Sequence, residues 1–372
     1  MLGDQTMLGF LSSVFTTTPA FREARCKVWR GCTYSRRERL RPLVKTLDSG
    51  GGNRNHDTYV DSDFFLSREE VMGIEKEAKV AEEDKQGIES FKEPPAPSKP
   101  ERIQVITDID DTVKSSGGLR VAGQYLGGID SQYKRGDCYP GVFQFALEIA
   151  TSGLPEDVEP LPMAVLTARA RELKFALALE EHHPICRKYR YCGMERGFDD
   201  WGIGPVLYGS VKEWLFQSKK GVRKFRNFQL LHNYNASNCG VGIGCQTKYI
   251  YVGDTGELDL HAGKLMLQKY PSEMKAVFLH VVYNERDDPA LKSYEDTHVK
   301  NVPVLFFRTY VGAARKAVEH GIISEAAMRR VAAKALKELL RIEPDHSSSK
   351  WVDLRKDIKD SDLVPRRHWL WK

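Results

Sequence analysis

What this chain lacks narrows its reading first. Its 372 residues contain no run of about 18 or more apolar residues, so nothing reads as a membrane-spanning helix. Its seven cysteines form no Cys-x-x-Cys pair. Cys26/Cys32, Cys186/Cys192 and Cys239/Cys245 each enclose five residues, which is not a zinc spacing. They read as reduced thiols of an intracellular protein. His182 and His183 lie near Cys186 but read as a helix end rather than a metal site. Acids are scarce before residue 60, among Arg22, Arg25, Lys27, Arg30, Arg36, Arg37, Arg39, Arg41 and Lys45. A net charge of +5 is mild; it suits acidic substrates or anionic lipid surfaces, and nothing in the chain calls for nucleic acid.

What is present centres on Arg102 to Val113. An apolar, β-prone run through Val105 and Ile106 ends in Asp108, Asp110 and Asp111, followed by Thr112. Acids crowded at a strand end repel one another and raise each other's pKa. A cation among them offsets that cost, and the C-terminal edge of a parallel strand is where α/β proteins hold ligands. Mg²⁺ is the natural occupant, since it is held by one or two carboxylates with substrate phosphate oxygens. Taken alone, the three acids read equally well as a solvated turn.

The remainder of the chain, in order, favours the site. Met163 to Leu166 is a second apolar strand, ending in Thr167. A basic helical segment holds Lys219, Lys220, Arg223 and Lys224. Tyr249 to Val252 is a third buried strand, ending in Gly253-Asp254-Thr255-Gly256-Glu257-Leu258-Asp259. Acid pair, hydroxyl, lysine and second acid pair form the set that phosphoryl transfer needs. One carboxylate attacks phosphorus, a carboxylic acid protonates the leaving oxygen, a hydroxyl and an ammonium hold the phosphate, and further carboxylates complete a metal site. A receiver domain uses similar groups, but its lysine closes the series, whereas here Asp254 and Asp259 follow the lysine.

These four motifs resemble those of the haloacid dehalogenase superfamily. Asp108-Ile109-Asp110-Asp111-Thr112-Val113, Tyr139-Pro140-Gly141-Val142 and Gly253 to Asp259 further resemble the catalytic domain of the fungal actin-patch phosphatidate phosphatase family, distantly related to the lipins. The resemblance covers roughly residues 101 to 285. It implies a doubly wound, mostly parallel α/β sheet of Rossmann type. It implies Asp108 as nucleophile and Asp110 as general acid/base, with Mg²⁺ held by Asp108, Asp254 and the backbone carbonyl of Asp110. Thr167, Thr112 and a lysine would hold phosphate, with Asp259 and Lys220 in support. Lys224 is favoured over Lys219 and Lys220, since it lies four before Phe228 and seven before Leu231 on an amphipathic pattern. The second motif departs from the family, reading Leu166-Thr167-Ala168-Arg169-Ala170 where a Ser-x-Ser-Pro turn is usual.

The expected organisation has four parts. Residues 1–60 form a basic arm or an organellar transit segment. In residues 61–100, a capping box at Ser67 to Glu70 opens a charged helix to about Phe91, and Pro94, Pro95, Pro97 and Pro100 stiffen the linker after it. Residues 101–345 form the phosphatase domain, with strands near 103–107, 163–166, 205–209, 249–253, 277–282 and 302–307, and helices from Leu258, Tyr310 and Ser324. Between the first motif and a helix near Gly141 lie too few residues for a folded cap; the glycines Gly117, Gly118, Gly123, Gly127 and Gly128 suggest a flap. The open site implies a large substrate, a lipid headgroup or a phosphoprotein. Asn233 to Thr247 reads as a surface loop. In residues 346–372, Arg366, Arg367, Trp369, Trp371 and Lys372 interleave cations and indoles, which fits either peripheral membrane contact or packing on the domain. The sequence thus leads to a phosphatidate phosphatase in the cytoplasm or at a membrane surface. A phosphatase of phosphoproteins or soluble esters, or a non-catalytic phospholipid-binding scaffold, are the rival readings.

Overall fold

Runs such as Val105-Ile106 and Val304-Leu305 are apolar without alternation because both faces of their sheet are covered. The computed structural model describes residues 101–363 apart from 122–123, 126–127, 156–157, 171–178, 180, 210–219, 239–245, 257 and 283–293. The basic arm, the charged helix, the proline linker and the Arg/Trp segment after residue 363 lie outside the described residues.

The strands are β1 (Glu101–Thr107), β2 (Arg120–Val121), β3 (Gln124–Tyr125), β4 (Met163–Ala170), β5 (Ile203–Gly209), β6 (Gln246–Asp254), β7 (Met274–His280), β8 (Thr297–Val299) and β9 (Val302–Phe307). Seven of them form one sheet in the order β5-β4-β1-β6-β7-β9-β8, parallel except for the β8–β9 pair. β2 and β3 form a separate two-stranded hairpin, the expected flap, between β1 and the next helix. The edge strand β8 was not expected. It follows from the turn at Lys300 and Asn301, both at positive φ, which reverses the chain tightly into β9.

Helices cover both faces. α1 (Val142–Thr151), α2 (Pro184–Glu195), α5 (Tyr310–Glu319), α6 (Glu325–Ile342) and α7 (Ser349–Asp360) build one core with Ile103 and Val105 of β1. α3 (Lys220–Asn238) and α4 (Asp259–Lys269) build the other with Ile106. Strand alternation therefore turns Gln104, Ile106 and Asp108 toward α3. Helix starts follow capping chemistry: the side chains of His183, Thr309 and Ser324 accept from the amides of Ile185, Gly312 and Ala327.

Two expectations need revision. Asn233 to Asn238 continue α3 instead of forming a loop, because Asn235 is anchored: its amide donates to Gln104 Oε1 at 2.6 Å and to the Tyr249 hydroxyl at 3.1 Å. The core also runs past residue 345, since Trp351, Leu354 and Ile358 on one face of α7 are buried and the Trp351 indole donates to the Glu343 carbonyl at 3.0 Å. Asp199 to Gly202 does form a turn, with Trp201 buried and its indole bonded to the Leu161 carbonyl.

Candidate active site

β1 lies between β4 and β6, so the connections leave it in opposite directions and a crevice opens at the carboxyl ends of these strands. Thr107 is level with Val165 of β4 and Val252 of β6. Asp108, Thr167 and Asp254 consequently arrive at one edge of the sheet. Asp108 continues the strand, its amide donating to the Val252 carbonyl at 3.1 Å.

Below this edge, Lys224 enters from the first turns of α3 and is 1% exposed. Its ammonium donates to Asp108 Oδ2 at 2.7 Å and also to Asp259 Oδ1. Asp259 heads α4, where the helix dipole favours an acid, and its other oxygen accepts the Asp254 amide at 3.2 Å. Asp254 in turn accepts from the Gly256 amide at 2.6 Å. Gly253 is required here: a Cβ would lie 2.5 Å from Asp259 Oδ2.

Asp108, Asp254 and Asp259 are all buried and can each point one oxygen into a space in which these atoms lie within 4.8 Å of one another. Among the described residues, three buried carboxylates gather around the Lys224 ammonium, and their oxygen donors suit a hard divalent cation. The donor set therefore fits Mg²⁺. Asp259, expected in support, lies with Asp108 and Asp254; the Asp110 side chain stands apart, its Oδ1 3.7 Å from Lys114 Nζ, and the expectation named its backbone carbonyl. Asp110 is the less buried of the two motif acids, so it can meet a leaving group from the solvent side.

Thr167 is buried inside β4, which continues to Ala170 through a register shift instead of ending at Leu166. Thr112 is fully buried; its carbonyl accepts the Tyr310 hydroxyl at 2.7 Å, and its own hydroxyl has no hydrogen-bond partner among the described residues. Of the lysines, Lys220 opens α3 and Lys219 lies outside the described residues; the ammonium at the carboxylates is that of Lys224. His261 is exposed on α4.

The third acid of the motif has a job the sequence did not disclose. Asp111 adopts φ 58° and turns away from the cluster. Its carboxylate accepts from the amides of Ser116 at 2.8 Å, Ile129 at 2.6 Å and Asp130 at 2.9 Å, so it ties both ends of the flap to the motif. Burial outweighs these bonds and pushes its carboxyl up to about 6. Its carbonyl lies 2.8 Å from His280 Nδ1, while His280 Nε2 lies 3.2 Å from the Arg308 carbonyl; a neutral ring donates to one of them. Burial lowers the His280 pKa and keeps that ring neutral. The Asp111 role could have been suspected only from its position after the acid pair, because a run of three acids does not say which one turns inward.

No protein-family model matches the chain, and no curated protein sequence matches it. Among solved structures, a crystal structure from Mesorhizobium loti, provisionally described as a HAD-like phosphatase, is similar at 13% identity and a TM-score of 0.32, covering 66% of this chain and 91% of its own. At that distance the reading of function stands on the site's geometry and on the motifs.

Proposed function

We propose that this chain is a Mg²⁺-dependent phosphomonoester hydrolase of the haloacid dehalogenase kind that works through an aspartyl-phosphate at Asp108. The carrying observation is the Asp108 carboxylate at the end of the central strand, bonded at 2.7 Å to a buried lysine and set among two further buried acids. Lys224 favours the ionised, nucleophilic form of Asp108. Its ammonium also restricts the rotation of that carboxylate, so the remaining oxygen is aimed rather than free.

In the first step, an Asp108 oxygen forms a bond to phosphorus as the bond from phosphorus to the ester oxygen breaks. Asp110, as the acid, delivers its proton to that leaving oxygen, and the alcohol departs. In the second step, Asp110, now ionised, takes a proton from water, whose oxygen attacks phosphorus and frees Asp108 and inorganic phosphate. A bound Mg²⁺, held by Asp108 and Asp254 with Asp259 beside them, would neutralise charge on the phosphoryl oxygens. Thr167, at the same sheet edge, is the candidate hydroxyl for a phosphate oxygen.

The substrate we favour is phosphatidate, hydrolysed to diacylglycerol. Support comes from the motif resemblance and from the small size of the flap: among the described residues between β1 and α1 the strands are β2 and β3, two residues each, which leaves room for a bulky ester. Phosphate release from phosphatidate in mixed micelles, beside a soluble aryl phosphate, with and without chelator, tests the reading. Turnover of both that needs Mg²⁺ and vanishes in Asp108→Asn is expected. Full activity of Asp108→Asn would refute the nucleophile; turnover of the aryl ester alone would move the substrate to a phosphoprotein or soluble ester.

A further inference from the structure

The functional reading leaves one face of the molecule unused, the one formed by α2 and α6. On α2, Arg187, Lys188, Arg190, Tyr191 and Met194 point outward, with Tyr191 60% and Met194 53% exposed. On α6, Lys337, Leu340 and Arg341 do the same, with Leu340 47% exposed. Between the helices lies a cleft of about 590 Å³ whose walls include Arg187, Lys188, Tyr191, Lys334 and Arg341. Large exposed side chains of this kind are few among the described residues, and three of them share this face.

The charge is one-sided. Lys334 is neutralised by Glu195 at 2.6 Å and lies over the Tyr191 ring, which fixes that ring at the surface. Two acids line the cleft beside the cations: Asp137, and Glu338, which is spent inward, accepting the Gly141 amide at 2.8 Å. Arg187, Arg190, Lys337 and Arg341 make no ion pair among the described residues. A chain of contacts links the cleft wall to the candidate site. Lys188 Nζ touches Cys138 Sγ at 3.3 Å, Cys138 bridges to Lys114 through the backbone, and Lys114 approaches Asp110 at 3.7 Å.

We propose that the α2/α6 face is a docking surface for an anionic bilayer, seated so that the cleft leads from the headgroups toward Asp110. Unpaired cations interleaved with a tyrosine and two flexible aliphatic side chains match the layered chemistry of a lipid interface, where anionic headgroups overlie hydrocarbon. An acidic protein surface would meet the cations but give no burial to Met194 and Leu340 together with Tyr191. The use assigned to the face rests on the phosphomonoesterase reading; its binding does not.

The experiment is co-sedimentation of the full chain with vesicles of phosphatidylcholine containing phosphatidylserine, a phosphodiester that cannot be turned over as a monoester. Binding should fall at least about 30-fold in R187E/R341E, since each cation near an anionic surface is worth roughly 1 kcal/mol. It should also fall in Y191S/M194S, whereas K264E/K269E on α4, with the same change in charge, should bind as wild type does. Hydrolysis of a soluble aryl phosphate should be unchanged in all three. No binding to anionic vesicles would overturn the proposal and leave the face to an acidic protein. Equal losses in R187E/R341E and K264E/K269E would overturn it as mere net charge. Vesicle binding without any phosphatase activity would remove the function proposed above and leave the docking face standing.

Discussion

Lys224→Met is the sharpest perturbation the site offers. Methionine matches the length of the buried stem but removes the ammonium that donates to Asp108 and Asp259. Three acids whose oxygens can lie within 4.8 Å of one another then lose the ammonium that bonds two of them. Two like charges at that distance repel by about 3.5 kcal/mol at an effective dielectric of about 20. Removing one partner of a buried ion pair costs about 3–5 kcal/mol, against a total stability of about 5–15 kcal/mol. The midpoint of thermal unfolding at pH 8 in chelator should therefore drop by roughly 10 °C. Mg²⁺ should raise the midpoint of the variant more than that of wild type, because it replaces the missing charge. Differential scanning calorimetry of both proteins at pH 8, with and without Mg²⁺, reads both effects. An unchanged midpoint at pH 8 in chelator would refute the ion-pair reasoning.

Three shorter predictions follow from neighbouring groups. Asp110→Asn should slow hydrolysis of an alkyl phosphate by about 10²–10⁴-fold but that of p-nitrophenyl phosphate far less, since a good leaving group needs no proton; equal losses on both would deny Asp110 the acid's role. Gly253→Ala forces a Cβ against Asp259 and should cut phosphate release while circular dichroism stays native; wild-type turnover would mean that Asp259 does not set the site. Asp111 has its folded pKa raised by burial from 3.8 to about 6, so its contribution to stability is complete below pH 4 and is lost as pH rises through 6, by about 3 kcal/mol. Urea midpoints from pH 4 to 7 should show that decline in wild type and a flatter course in Asp111→Asn.

The central strands were legible because parallel, doubly covered strands write their burial as unbroken apolar runs, and each run stops where a polar group is put to use. That logic singled out Asp108 and Asp254, and the spacing from Lys224 to Phe228 and Leu231 singled out the lysine that lies against the carboxylates, whereas Thr167 falls inside β4 and not after its end. Periodicity failed where polar residues are held by specific partners. Asn235 looks like loop chemistry until Gln104 and Tyr249 are seen beside it. α7 carries Trp351, Leu354 and Ile358 at helical spacing, but those residues sit in a polar, charged stretch ahead of a basic terminus. β8 is three residues long and mostly exposed, so no pattern announced it. The division of labour among three acids within four residues depends on one positive φ, which residue identity does not encode.

The sheet order also governs when this site can exist. β1 is the earliest of the seven strands in the chain, yet it ends at the centre of the sheet. It meets β4 over only two paired positions, Ile106 with Ala164 and Thr107 with Val165, and it meets β6 along its whole length, from Glu101 with Gln246 to Thr107 with Val252. A chain emerging from the ribosome thus carries Asp108 on a strand with a bare edge until residue 252 has been made, and pairing across such a span is slow. During that interval Asp108 lacks Asp254 and Asp259, and the exposed edge is open to other chains. The docking of β6 hides that edge and brings Asp254 to Asp108, and the start of α4 then adds Asp259.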